Sequence, residues 1–279
     1  MNRWGFTLSR RWLGYLALVV IFAVACTLLS AWQLARRDEA RAEIDRVEAN
    51  WDSAPRPLAD VLPSLDSFEA DQKWTPVTMT GRYLDDQQLL ARGRPLGGNP
   101  GFAVVVPFQL DDGSVFIVDR GWVPVGNEQD APDLVPAPPN GTVTITVRLK
   151  PGEPILAGRS APEGQIASIN LPLIADLVGA PTYVDAYGLL DTEEPAAAVR
   201  PIATVRPTPD EGPHLSYAFQ WLVFGLMAFI ALAWAIRQEY RVRNEDDPAE
   251  KQRAQARERR RASRRPSDAE VEDELLDAR

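Results

Sequence analysis

The chain has 279 residues, room for one or two domains, and a formal charge of −9 from 30 Lys and Arg against 39 Asp and Glu. That acidity argues against a protein that coats nucleic-acid phosphates, and no nucleic-acid partner is expected. The single cysteine, Cys26, excludes an internal disulfide framework and a four-cysteine zinc site, and the single histidine, His214, excludes two-histidine metal motifs. With 27 Arg to 3 Lys, the basic residues carry the stamp of a GC-rich genome.

Residues 1–11 are basic, and residues 12–35 then run uncharged between Arg11 and Arg36. At 1.5 Å per residue this stretch covers the roughly 30 Å hydrocarbon core of a bilayer. Trp12, Tyr15 and Trp32 stand near its ends, where amphipathic rings meet headgroups. A cleaved signal is disfavoured. The apolar run continues past Cys26 through Thr27, Leu28 and Leu29, and no Leu stands three residues before the cysteine. Cys26 reads as a small packing residue, with a lipid-acceptor role as the alternative. A charged helical stalk follows to about residue 51 and ends before Pro55 and Pro57.

From residue 74 to about 205 the pattern changes to short β-like runs between Gly and Pro. The candidates are 74–84, 88–92, 102–110, 115–123, 142–150, 165–170, 183–190 and 199–205. Alternation is clearest at Val143, Ile145, Val147 and Leu149, and Asp111-Asp112-Gly113 marks a hairpin. Residues 132–139 are a Pro-rich loop. Residues 171–178 make one short helix, with Pro172 in its first turn and Gly179 as its stop. Residues 199–209 return the chain as an extended segment. The domain over 36–211 is therefore expected to be a mainly antiparallel β domain, a small barrel or sandwich, flanked by a membrane α-hairpin.

The second span covers 214–236, with an apolar core from Tyr217 to Ile236 and with Trp221, Trp234 and Tyr240 about it. Basic residues beside the spans and a net charge of −12 over 36–211 place both termini in the cytoplasm of a bacterium and the middle domain outside its plasma membrane. The tail, 237–279, interleaves signs. A basic run at Arg257, Arg259, Arg260, Arg261, Arg264 and Arg265 precedes an acidic end at Glu270, Glu272, Asp273 and Glu274. It reads as disordered or marginally helical.

Several motifs occur in order. Trp32-Gln33 closes the first span. Trp74-x-x-Val77-x-x-x-Gly81-x-Tyr83, Gly101-Phe-x-Val-x-x-Pro107-Phe and Asp119-Arg120-Gly121-Trp122-Val123-Pro124 follow. His214-Leu215-x-Tyr217-Ala218-x-Gln220-Trp221 then opens the second span. This series resembles the surfeit locus protein 1 family of cytochrome c oxidase assembly factors, from Arg11 to Arg243. Two departures stand out: Ser30-Ala31 where a Gly is usual, and Pro213 where an Asn commonly precedes the histidine.

The resemblance implies a non-enzymatic chaperone of respiratory-chain biogenesis. It would hold or deliver haem a during maturation of oxidase subunit I, in contact with membrane lipid and with the haem a synthesis machinery. His214, at the outer end of the second span, could offer a nitrogen to the haem iron as its only metal-ligating residue. Arg120 could pair with a propionate and Trp122 offer a flat contact. Equally, the pair could be structural, with Gly121 allowing an unusual backbone angle, and that reading is preferred. Trp32, Gln33, Tyr217 and Trp221 could line a haem groove or anchor the hairpin. The alternative function is a scaffold or accessory subunit of the oxidase complex that never binds haem. A hydrolase built on Asp85, Asp86, Asp111 and Asp112 is disfavoured, because those acids sit in turn-like settings.

Overall fold

A computed structural model describes residues 4–127 and 130–262. Arg3, Arg264, Arg265 and the acidic end at 270–274 lie outside the described residues. The chain divides into two compact units, one of Met1–Asp38 with Gly212–Arg279 and the other of Glu39–Glu211.

In the first unit, α1 (Arg10–Asn50) begins, and α4 (His214–Arg243) and α5 (Pro248–Ala262) follow after the intervening domain. Both α1 and α4 are long and apolar enough to cross a membrane. Their apolar side chains face outward almost all round, and apart from Trp12 and Tyr240 the residues they bury in this unit are small. Cys26 is 1 % exposed and Ser30 4 %, and Ala218 and Gly225 are buried on α4. A Cβ placed on Gly225 would lie 3.5 Å from Cys26 Cβ, so the two backbones approach closely at this point. Small residues at such a contact let helices pack where lipid removes the hydrophobic drive between them. Ser30 thus performs the close-packing task expected of a Gly. The tail, expected to be disordered or marginally helical, carries α5 within its described part.

The second unit holds the end of α1, then β1 (Arg56–Pro57), α2 (Leu58–Val61), β2 (Pro76–Tyr83), β3 (Leu89–Ala91), β4 (Gly101–Leu110) and β5 (Val115–Pro124). After these come β6 (Val143–Pro151), β7 (Gln165–Ile166), α3 (Leu171–Val178) and β8 (Ala186–Glu194). The sheet runs β1-β2-β6-β8-β5-β4-β3-β7, and β2 also pairs with β4, so β2, β6, β8, β5 and β4 close a barrel-like ring. Gly81 makes the closure possible: it faces Leu110, and any Cβ there would collide with the Gln109 carbonyl.

Period-two alternation sorts side chains between two apolar layers. Val77, Phe108, Phe116, Val118, Val143, Ile145, Val147 and Leu149 fill the inside. Val105, Val115, Ile117, Tyr187 and Leu189 face a second layer under Val47 of α1, Trp51 just beyond its end, and Leu171 and Ile174 of α3. β5 is buried on both faces, which is why 115–118 reads as an unbroken apolar run rather than as alternation. α3 starts with Asn170 Oδ1 accepting from the Leu173 N–H at 3.2 Å and ends on Gly179 at φ 68°.

The sheet is mainly antiparallel, as expected, with short parallel contacts of β5 with β8, β1 with β2 and β3 with β7. One expectation needs correction. Residues 199–205 form no strand; a prolyl nitrogen at 201 and another at 207 lack the N–H a ladder needs, and only Ile202 bridges to Trp122.

The close approach of α1 and α4 predicts that Gly225→Cys will form an intramolecular disulfide with Cys26 under mild oxidation, since the Cβ spacing lies within the roughly 3.5–4.5 Å range of such bonds. Thiol counting by mass spectrometry should find no free thiol after oxidation and two after reduction. Two free thiols under both conditions would contradict the packing.

Candidate functional site

On α1 the positions Ala23, Cys26, Ser30 and Gln33 recur at helical spacing, and on α4 so do His214, Ala218, Trp221 and Gly225. All eight are buried or half-buried while their neighbours are exposed, so these are the facing stripes. At one end of the pair, His214 Nδ1 lies 2.9 Å from Gln33 Oε1. A carbonyl oxygen only accepts, so Nδ1 carries the proton and, in the neutral ring, Nε2 carries the lone pair. Metal-binding histidines usually have their tautomer fixed by a carboxylate, backbone carbonyl or water, and here the Gln33 side-chain oxygen takes that place. Gly212, at φ 65°, leaves the approach to Nε2 open; a Cβ there would sit 3.2 Å from that nitrogen.

The remaining sequence candidates separate by location. Trp221 lies on the facing stripe, with its ring edge-on to Phe224 at 5.9 Å. Trp32 and Tyr217 are 53 % and 48 % exposed, and Arg36 stacks over the Trp32 ring at 5.9 Å. Arg120 and Trp122 belong to the other unit.

Asp119-Arg120-Gly121-Trp122 is a β-bulge. The β4–β5 register passes from Ala103 opposite Trp122 to Val105 opposite Asp119, which leaves Arg120 and Gly121 facing Val104 alone. Gly121 takes φ 127° with the Ile202 carbonyl where a Cβ would fall, and Asp119 Oδ1 accepts its N–H at 2.9 Å. The extra residue also returns Val123 to the inner layer.

The bulge sends Arg120 into the barrel, where its side chain has no exposure. Its Nη1 donates to the Pro136 carbonyl at 2.7 Å, its guanidinium lies 3.6 Å from Glu193 and 5.3 Å over the Tyr83 ring. Glu193, equally buried, also meets Arg200 at 3.5 Å and accepts from the Tyr83 hydroxyl at 3.1 Å. Burial, reinforced by the Glu193 charge, pushes the Tyr83 phenol well above its usual range. Arg120 is thus engaged by its own chain and removed from any group arriving from outside. Trp122 is half-buried at the rim, and its indole N–H donates to the Arg94 carbonyl at 2.5 Å.

Sequence reasoning missed Glu193 and a second polar group around Asp119. Arg94 grips Glu153 through both nitrogens, at 2.7 and 2.5 Å, and Glu153 also accepts the Ile169 N–H at 2.8 Å. Burial raises the Asp119 carboxyl to about 6 against the lowering effect of the Gly121 N–H. A third polar group fixes the stalk. Glu43 accepts from Lys73 at 2.6 Å and from the Trp74 indole at 2.9 Å, and these bonds outweigh burial to hold its carboxyl below the usual range. Arg94 with Glu153, Glu153 with Ile169 and Glu43 with Lys73 and Trp74 are each separated by 16 or more positions, so no local motif could announce them.

Two helices long and apolar enough to cross a membrane and a barrel-like domain that buries Asp119, Arg120 and Glu193 define a protein in which a β domain is carried between two long apolar helices in the chain. A family model described as the SURF1 family matches residues 20–226. An uncharacterized SURF1-like protein of Mycobacterium tuberculosis is 36 % identical over 251 residues, covering 88 % of this chain and 91 % of its own. A SURF1-like protein of Rickettsia bellii is 22 % identical over 228 residues, 78 % of this chain and 88 % of its own. The cytochrome oxidase assembly protein SHY1 of Saccharomyces cerevisiae is 28 % identical over 119 residues, 42 % of this chain and 30 % of its own. The chain belongs to the SURF1 family.

Two predictions follow from the barrel's buried charges. Glu193→Ala leaves Arg120 uncompensated and should destabilise the domain by about 3 to 5 kcal/mol, read as a lower unfolding temperature of the detergent-purified protein. For Asp119, the folded carboxyl at about 6 lies above its reference value of 3.8, so the native state retains a proton that the unfolded chain has lost. Stability therefore falls as pH rises from about 4 to 6 and is level above. Asp119→Asn removes that titration. Its stability relative to the parent should climb by up to about 3 kcal/mol over this interval and then stay constant, whereas an unchanging gap would mean an ordinary carboxyl.

Proposed function

We propose that this protein is a non-enzymatic assembly factor of cytochrome c oxidase that holds haem a through His214 and passes it on during maturation of subunit I. Membership of the SURF1 family and similarity to the yeast cytochrome oxidase assembly protein support the assembly role. α1 and α4 cross the plasma membrane, with both termini in the cytoplasm and the barrel outside. The length and apolar surface of the two helices and the basic residues at their cytoplasmic ends favour that arrangement.

The haem reading is carried by the His214–Gln33 contact. Gln33 fixes the tautomer, Gly212 keeps Nε2 approachable, and the apolar helix surface beside it would hold a macrocycle away from water. When bound, haem a supplies the iron that accepts the histidine lone pair. The chain's own contribution is to orient one imidazole and to present the exposed rings of Trp32 and Tyr217 at the same end. With no second histidine in the sequence, release is easier than from a site with two axial histidines. Subunit I and the haem a synthesis machinery are the partners this role requires.

The optical spectrum of the protein purified from cells making haem a tests the reading. Bound haem a should be lost in His214→Ala and reduced on the order of tenfold in Gln33→Ala, in line with loss of a ligand's orienting partner. Both variants should remain in the membrane. A colourless parent that still captures the oxidase would defeat haem binding and favour a scaffold or accessory subunit.

A further inference from the structure

At the opposite end of α4 from His214, residues 233, 236, 237, 240 and 241 share one helical face, and α5 brings Arg253 and Arg257 toward it. Together with Trp4 they line a cavity of about 530 Å³. Four arginines and no acid line its walls. Trp4 and Tyr240 stack there with ring centroids 4.2 Å apart and planes 17° apart. Glu239 is turned to other cations, meeting Arg11 at 2.9 Å and Arg243 at 2.8 Å, and Asp246 meets Lys251 at 3.3 Å. Arg237 and Arg241 have no acidic partner among the described residues.

The cavity is amphipathic. Ala233 and Ile236 form its apolar side and continue the uncharged run of α4, while the arginines stand one turn further along. Guanidinium groups bind phosphate oxygens through paired N–H donors, and an indole–phenol stack suits the level where headgroups meet acyl chains. A free anion would use the arginines alone; a phospholipid uses both sides of the cavity.

We propose that Arg237, Arg241, Arg253 and Arg257 with the Trp4–Tyr240 stack form a binding site for the phosphate headgroup of an anionic phospholipid. The site rests on the reading that α4 crosses the membrane. It makes α5 a headgroup clasp rather than a solvated tail.

The test uses the full-length protein in non-ionic detergent, titrated with phosphatidylglycerol or phosphatidylcholine and followed by native mass spectrometry. One phosphatidylglycerol should bind on the order of tenfold more tightly than phosphatidylcholine. Arg237→Gln/Arg241→Gln and, separately, Arg253→Gln/Arg257→Gln should each remove that preference, losing roughly tenfold in affinity, while the far-ultraviolet circular dichroism stays that of the parent. Equal binding of the two lipids, or unchanged preference in both folded double variants, overturns the site. Displacement of the lipid by millimolar inorganic phosphate would identify a free-anion site and overturn the lipid assignment. Alkaline carbonate washing of membranes separates the two readings. A protein released by the wash refutes the membrane span itself, whereas one retained but indifferent to phosphatidylglycerol refutes only the headgroup site.

Discussion

Burying a guanidinium inside a small barrel is unfavourable unless its charge is matched, and Glu193, 3.6 Å from Arg120, supplies that match at the centre of the outer domain, while Arg120 Nε is left without a hydrogen-bond partner. Three of the five ring strands converge on it: β5 supplies the arginine, β8 the glutamate and β2 the tyrosine hydroxyl that donates to the glutamate. The Pro-rich loop is held by the same guanidinium through the Pro136 carbonyl, and the returning segment by Arg200. The bulge at Gly121 exists to point one side chain inward at this place. Ring closure, loop position and return path thus share a single electrostatic centre.

That arrangement separates structure from chemistry along the chain. The domain between the helices spends its charged side chains on itself, in the groups around Glu193, Glu153 and Glu43. The helix pair does the reverse. Its contact is made of small groups at Cys26, Ser30, Ala218 and Gly225, with the Arg11–Glu239 ion pair toward one end, and the Gln33–His214 hydrogen bond at the other leaves a ring nitrogen with its lone pair directed to something else. A unit whose buried charges are paired internally suits a rigid body, and one with an unused acceptor suits binding.

Local patterns carried much of the architecture. Alternation at 143–149 marks the inner face of β6, and Asn170, Pro172 and Gly179 delimit α3, because caps and period-two exposure act over a few residues. The parallel neighbour of β5 and the partner of Arg120 depend on residues far away in sequence. No spacing rule reaches from 120 to 193. The same limit applies at the candidate site. His214 and Gln33 were both legible as candidates, while their contact was not. The inward aspect of Trp221 and the outward aspect of Tyr217 follow from helical spacing once the facing stripe is known, and the stripe is marked by small residues rather than by large apolar ones.

Gln33 and His214 are 181 residues apart. At a synthesis rate of about 5–20 residues per second, roughly 10 to 40 s separate their emergence from the ribosome. During that interval α1 has no α4 to cover Ser30 and Gln33, and every strand of the barrel has already been made. The histidine is therefore the last of the key groups to arrive, and the pair that orients it can form only on a chain whose outer domain is complete. Order of synthesis acts as a checkpoint: a truncated or stalled chain contains Gln33 and the barrel but no imidazole at all.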